Sequence, residues 1–200
     1  MPSEGAVESS IEESIVLGKY FAWRGGSGVR DDYSRTIVGF KKGEASAIEF
    51  FTGKVGRRIK ADDNLNRATC ILVPVPSSKK HDPERPHRGE LLCQAVAAVP
   101  GIKVTYGNYV VRRTAIHSSH GRSVSSRPLI DEHLQTMEIR IPALSGKYVG
   151  KLGSNQWRGF DAIVFDDVRY TGATSEACAG KLLQAGFRRV YAIYLGQNQP

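Results

Sequence analysis

The apolar positions of this chain fall into short blocks whose spacing switches between two periods. Thr69–Val75 is an apolar, β-branched run ended by prolines, the mark of a buried strand. Asp161–Phe165 and Val190–Leu195 have the same character. Between such runs the period lengthens to that of a helix. Glu44–Ile59 places Ala47, Ile48, Phe51 and Val55 on one face. Glu90–Val99 does so with Leu91, Leu92, Ala95, Val96 and Val99 before Pro100-Gly101 stops it, and Thr174–Ala185 ends at Gly186. Lys19–Arg24 reads as a short strand before the turn Gly25-Gly26-Ser27-Gly28, and Arg35–Phe40 continues an apolar element. Ile102–Tyr106 and Tyr109–Arg112 are strand-like, Ile130–Thr136 is a short helix, and Met137–Ile141 is a strand. Residues 113–128 and 142–159 show no period and read as loops. The strand–loop–helix–strand order over 161–195 predicts an α/β fold with a parallel sheet flanked by helices. Ligands of such sheets bind beyond the carboxyl ends of the strands, which directs attention to the residues after Phe165.

Composition narrows the partners more than the fold. Two hundred residues suit one domain, and no apolar run approaches the roughly 20 residues of a membrane span. The start lacks the basic and apolar segments of a secretory signal, so a cytoplasmic protein is expected. Glu4, Glu8, Glu12 and Glu13 make residues 1–18 an acidic segment, expected to be mobile or loosely docked, ahead of a single domain over 19–200. Residues 15–200 hold 28 Lys and Arg against 16 Asp and Glu, a net +12 that calls for an anionic partner. Nucleic acid and a phosphorylated small molecule both satisfy it. Cys70, Cys93 and Cys178 form no CxxC pair, which argues against a zinc ribbon or a redox dithiol and for buried thiols.

The candidate chemistry lies at Asp166-Asp167-Val168-Arg169-Tyr170-Thr171-Gly172-Ala173-Thr174. Two acids end a strand, a small-residue turn follows, and a helix begins. Successive amides at the helix start and the Thr171 and Thr174 hydroxyls suit an anion, and Gly172 lets the backbone approach it closely. The acids would repel a bare phosphate. Carboxylates do accept hydrogen bonds from vicinal hydroxyls and can hold a metal, directly or through water, so the pair points to a phosphorylated sugar.

The run from Ile163 to Thr174 resembles the signature of type I phosphoribosyltransferases, which bind 5-phosphoribosyl 1-pyrophosphate (PRPP). Val73-Pro74-Val75-Pro76, the stretch Ser77-Ser78-Lys79-Lys80 and then Arg88-Gly89 narrow the likeness to the ComF-like branch. Tyr20-Phe21 and Ile37-Val38-Gly39-Phe40-Lys41-Lys42-Gly43 are similar to that branch's entry region. The likeness covers roughly residues 19–196. The branch's zinc ribbon is missing, and its mobile loop is matched only in part, by Arg112-Arg113-Thr114 and His117-Ser118-Ser119-His120-Gly121-Arg122.

The resemblance implies a small N-terminal hood over about 19–60 and Mg2+-dependent transfer of phosphoribosyl to a nucleobase-like acceptor. Asp166 and Asp167 would position the ribose, and residues 166–174 would cradle the 5-phosphate. Pro76, Ser77, Ser78, Lys79 and Arg88 would face the pyrophosphate; no residue is singled out as a direct magnesium ligand, and Asp166 and Asp167 could hold the ion through water. The basic loop 113–127 would close over the ligand, Arg113 and Arg122 neutralising the leaving pyrophosphate and His117 or His120 moving a proton. A homodimer is a further expectation. The rival reading is a non-catalytic relative that binds nucleic acid, for which Lys54, Arg57, Arg58 and Lys60 would supply a basic helix face.

Overall fold

The structure is a computed structural model; it describes residues 9–22, 31–82, 84–116, 129–140 and 157–199. The strands are β1 (Glu13–Val16), β2 (Lys19–Phe21), β3 (Cys70–Pro74), β4 (Thr105–Tyr106), β5 (Val110–Arg112), β6 (Met137–Ile139), β7 (Asp161–Arg169) and β8 (Arg189–Gln199). The helices are α1 (Asp32–Lys42), α2 (Ala45–Lys60), α3 (Arg88–Ala97), α4 (Ile130–Thr136) and α5 (Ala173–Gln184). The main sheet runs β1-β8-β7-β3-β4, with β2 following β1 along the same edge of β8, and every pair in it is parallel. The strand-like run at 109–112 leaves this sheet: β5 pairs antiparallel with β6 in a separate ribbon. The protein is thus an α/β structure built on a parallel sheet flanked by helices.

Strand alternation explains why β3, β7 and β8 are apolar almost without interruption. Ile163 and Phe165 face one core, while Ala162 and Val164 face the other. The first core receives Phe40 of α1, Phe51, Val55 and Ile59 of α2, and Leu92 and Val96 of α3. The second receives Ala177, Cys178 and Leu182 of α5, closed at one end by Trp157 stacked on Phe187. Residues 19–60, expected as a hood, supply β2, α1 and α2, and these pack directly into the first core.

Arg35–Phe40, expected as a continuing apolar element, lies within α1. Asp31 caps α1 by accepting from the Ser34 amide at 2.7 Å, and Gly43, at φ 82°, ends it. The acidic start is docked from residue 9 on, with residues 1–8 outside the described set. Ile11 and Ile15 are buried, the Glu12 amide donates to the Val190 carbonyl, and β1 adds to the sheet edge. Burial of Ile11 in one core and Ile15 in the other outweighs the solvated acids between them, and Glu13 lies 3.8 Å from Arg58. The turn at 25–28, the loop positions His117, His120, Arg122 and Arg127, and residues 142–156 lie outside the described residues.

Candidate functional site

β3 and β7 are parallel neighbours, so their carboxyl ends open side by side, and the Val75 amide donating to the Phe165 carbonyl at 2.9 Å ties the two exits together. A cavity of about 310 Å³ lies there. Of the residues expected at the site, Pro76, Ser77, Ser78, Lys79, Arg88, Asp166, Asp167, Val168, Tyr170 and Thr174 line it. The remaining members of the loop shape the turn. Gly172 precedes α5 at φ 85°, in a left-handed conformation that a side chain resists. Thr171 Oγ1 accepts from the Ala173 amide at 3.3 Å, and the Arg169 guanidinium stacks over the Tyr194 ring.

Arg113, expected in a catalytic role, does not line the cavity; its guanidinium is exposed and 3.5 Å from Glu138 on β6. Arg112 lines it instead, 1% exposed. Adjacent residues of a strand face opposite ways, and pairing with β6 turns Arg112 inward. The sequence reading also missed Lys41, His87 and His133 as lining residues. Lys41 and His87 are ordinary helix-end residues by pattern, and His133 is one histidine in a seven-residue helix, so no local signal marks them.

The two acids live in different fields. Asp167 Oδ2 accepts from Arg88 at 2.8 Å, Oδ1 accepts from the Val168 amide at 2.7 Å, and Lys41 Nζ stands 3.9 Å away. Burial pushes its pKa up, but Lys41 and Arg88 outweigh that and hold it below the usual value. Asp166 Oδ1 accepts from the Asp167 amide at 2.8 Å and Oδ2 from Ser175 at 3.1 Å. Burial, aided by the charge of Asp167, raises Asp166 to about 6. One carboxylate is therefore a fixed anion and its neighbour exchanges a proton near neutrality.

The walls leave donors unused. His87 Nδ1 accepts from the Gly89 amide, which places the proton of the neutral ring on Nε2. Burial and the Arg88 charge bring His87 down to about 4, so the ring is neutral at pH 7. That Nε2 and Arg88 Nε are both buried with no hydrogen-bond partner among the described residues. Lys41, Lys79, Arg88 and Arg112 face Asp166 and Asp167, a surplus of two positive charges. Buried unsatisfied donors and excess cations together favour an acceptor-rich, anionic occupant.

Among the described residues no three His, Cys, Asp or Glu side chains gather as a metal cage. The basic face of α2 is partly engaged: Lys54 sits over the Tyr33 and Phe50 rings, and Arg58 pairs with Asp62 at 2.8 Å. All three cysteines are buried and free. Among the described residues no helix is long and apolar enough to cross a membrane. Neither a scan of protein-family models nor a search of curated proteins returns a match to this chain.

Proposed function

We propose that the cavity binds ribose 5-phosphate and its pyrophosphorylated form PRPP, and that the protein is a type I phosphoribosyltransferase acting on a nucleobase-like acceptor. One observation carries the reading. A carboxylate pair and Thr174, in the first turn of α5 behind a left-handed glycine, line the same cavity as unsatisfied donors and surplus cations. A bare anion would find the acids repulsive, and a neutral sugar would leave the cations unanswered. A phosphorylated sugar answers both.

In this reading the turn 171–174 receives the 5-phosphate through backbone amides and the Thr174 hydroxyl. Asp166 and Asp167 accept hydrogen bonds from the ribose hydroxyls. Ser77, Ser78 and Lys79, with the free Nε of Arg88, face the pyrophosphate. Attack of an acceptor nitrogen on the anomeric carbon breaks the bond to the pyrophosphate oxygen, which leaves with the electron pair. The lining cations offset the charge that gathers there. Both acids are already engaged by protein donors, so a magnesium ion fits as a companion of the ligand's phosphate oxygens, which it would partly neutralise. Asp166 would reach it through water.

The test is release of pyrophosphate from PRPP and Mg2+ over a panel of nucleobases. Release with at least one base, lost in Asp167→Asn, supports transfer. PRPP binding without release from any base in the panel limits the protein to a sensor. Absence of PRPP binding overturns the proposal.

A further inference from the structure

Arg112 is a buried cation that no carboxylate pairs with among the described residues. Its Nε donates to the Ser77 carbonyl at 2.6 Å, Nη1 donates to the Thr136 hydroxyl, and Nη2 lies 3.3 Å from His133 Nδ1. A guanidinium can only donate, so Nδ1 of His133 accepts and carries no proton. Burial, reinforced by the Arg112 charge, brings His133 down to about 4, which makes the ring neutral at pH 7. Its single proton is then on Nε2, 3.3 Å from Thr174 Oγ1. The ring donates there and the hydroxyl accepts. Thr174, in the first turn of α5, lines the cavity, and no other hydrogen bond of its hydroxyl occurs among the described residues.

We propose that His133 is a positioning residue: held in its Nε2–H form by Arg112, it turns the Thr174 hydroxyl proton into the cavity as a donor for a phosphate oxygen. The polarity runs one way. The opposite tautomer would leave Thr174 donating to the ring and presenting only lone pairs, which would repel an anion. Through the Ser77 carbonyl the same guanidinium also braces the 75–79 loop, so Arg112 and His133 link the two sides of the cavity. The choice of phosphate as occupant rests on the ribose-phosphate reading above; the direction of the chain of donors does not.

Two measurements test it on the full chain. In two-bond proton–nitrogen NMR of histidine-labelled protein at neutral pH, the His133 ring, assigned by its loss in His133→Gln, shows a bare Nδ1 and a protonated Nε2. A protonated Nδ1 overturns the proposal. In calorimetry with ribose 5-phosphate, Thr174→Val and His133→Leu each weaken binding about tenfold, and the double variant is no weaker than either. Effects that multiply in the double variant, or an unchanged affinity in the soluble, folded Thr174→Val, overturn it. Inorganic pyrophosphate, the control ligand, binds Thr174→Val and the wild type alike; equal loss for both ligands overturns the local role. Wild-type protein that fails to bind ribose 5-phosphate but shows the bare Nδ1 refutes the ribose-phosphate reading while upholding the direction of the donors.

Discussion

Replacing Asp166 with Asn should make the protein more stable at neutral pH, because this carboxylate is held against its own preference. Burial and the Asp167 charge raise it from 3.8 to about 6, and Lys41 only partly compensates. A folded-state pKa above the unfolded value means the native state binds the proton more tightly between those limits. The associated stability is fully present below about pH 4 and is lost as pH rises through 6. Above that point the ionised carboxylate opposes folding by about 3 kcal/mol. Asn keeps the shape and an acceptor for the Asp167 amide, and its amide group can donate to Ser175 Oγ. Urea unfolding of both proteins at pH 4 and pH 8 reads the effect. The variant should exceed the wild type by about 2–3 kcal/mol at pH 8 and by much less at pH 4. Equal stabilities at pH 8, or a less stable variant there, would refute the assignment of Asp166 as the destabilised member of the pair. Such a gain at the expense of ligand binding is the trade expected at a functional site.

Gly172→Ala should cost about 1–2 kcal/mol in thermal or urea unfolding, because φ 85° is left-handed; a Cβ there would meet Arg169 Nε at 3.6 Å and Tyr194 Oη at 3.9 Å, ordinary contact distances, so the backbone sets the effect. Asp161, buried at the start of β7, accepts from Arg67 at 2.9 Å, Arg188 at 2.9 Å and Arg189 at 3.0 Å, so Asp161→Ala should destabilise by about 3 kcal/mol. Its pKa is lowered because the arginines outweigh burial, so in the wild type this stability is present at neutral pH and lost as pH falls below about 4; the variant's unfolding should lack that acid limb. Ile15→Ala should cost about 3 kcal/mol if β1 is part of the folded core, and an unchanged unfolding midpoint would return the acidic segment to a loosely attached tail.

How much of this was legible beforehand depends on how local each cause is. β3, β7 and β8 announced themselves because strands buried on both faces need apolar residues at every position. The glycine turn was readable because the φ of Gly172 and the helix behind it are fixed within a few residues. β1 was hidden by Glu12 and Glu13, whose charges stay at the edge while Ile11 and Ile15 reach the cores. α1 was missed although Asp31 and Gly43 mark its ends, since Ile37-Val38-Gly39-Phe40 reads equally as a strand. The choice of Arg112 over Arg113 requires knowing that β5 pairs with β6. His133 and Lys41 reach the cavity from elements distant in sequence, and only tertiary packing brings them there.

Calorimetry of ribose 5-phosphate and of PRPP with Mg2+ tests the central claim most directly. The wild type should bind both. Gly172→Trp, which denies the turn its left-handed backbone, and Asp167→Asn, which releases Arg88 and Lys41, should each weaken binding at least tenfold while the fold persists by circular dichroism. Wild-type protein that binds neither ligand, or variants that bind as well as the wild type, would contradict the account.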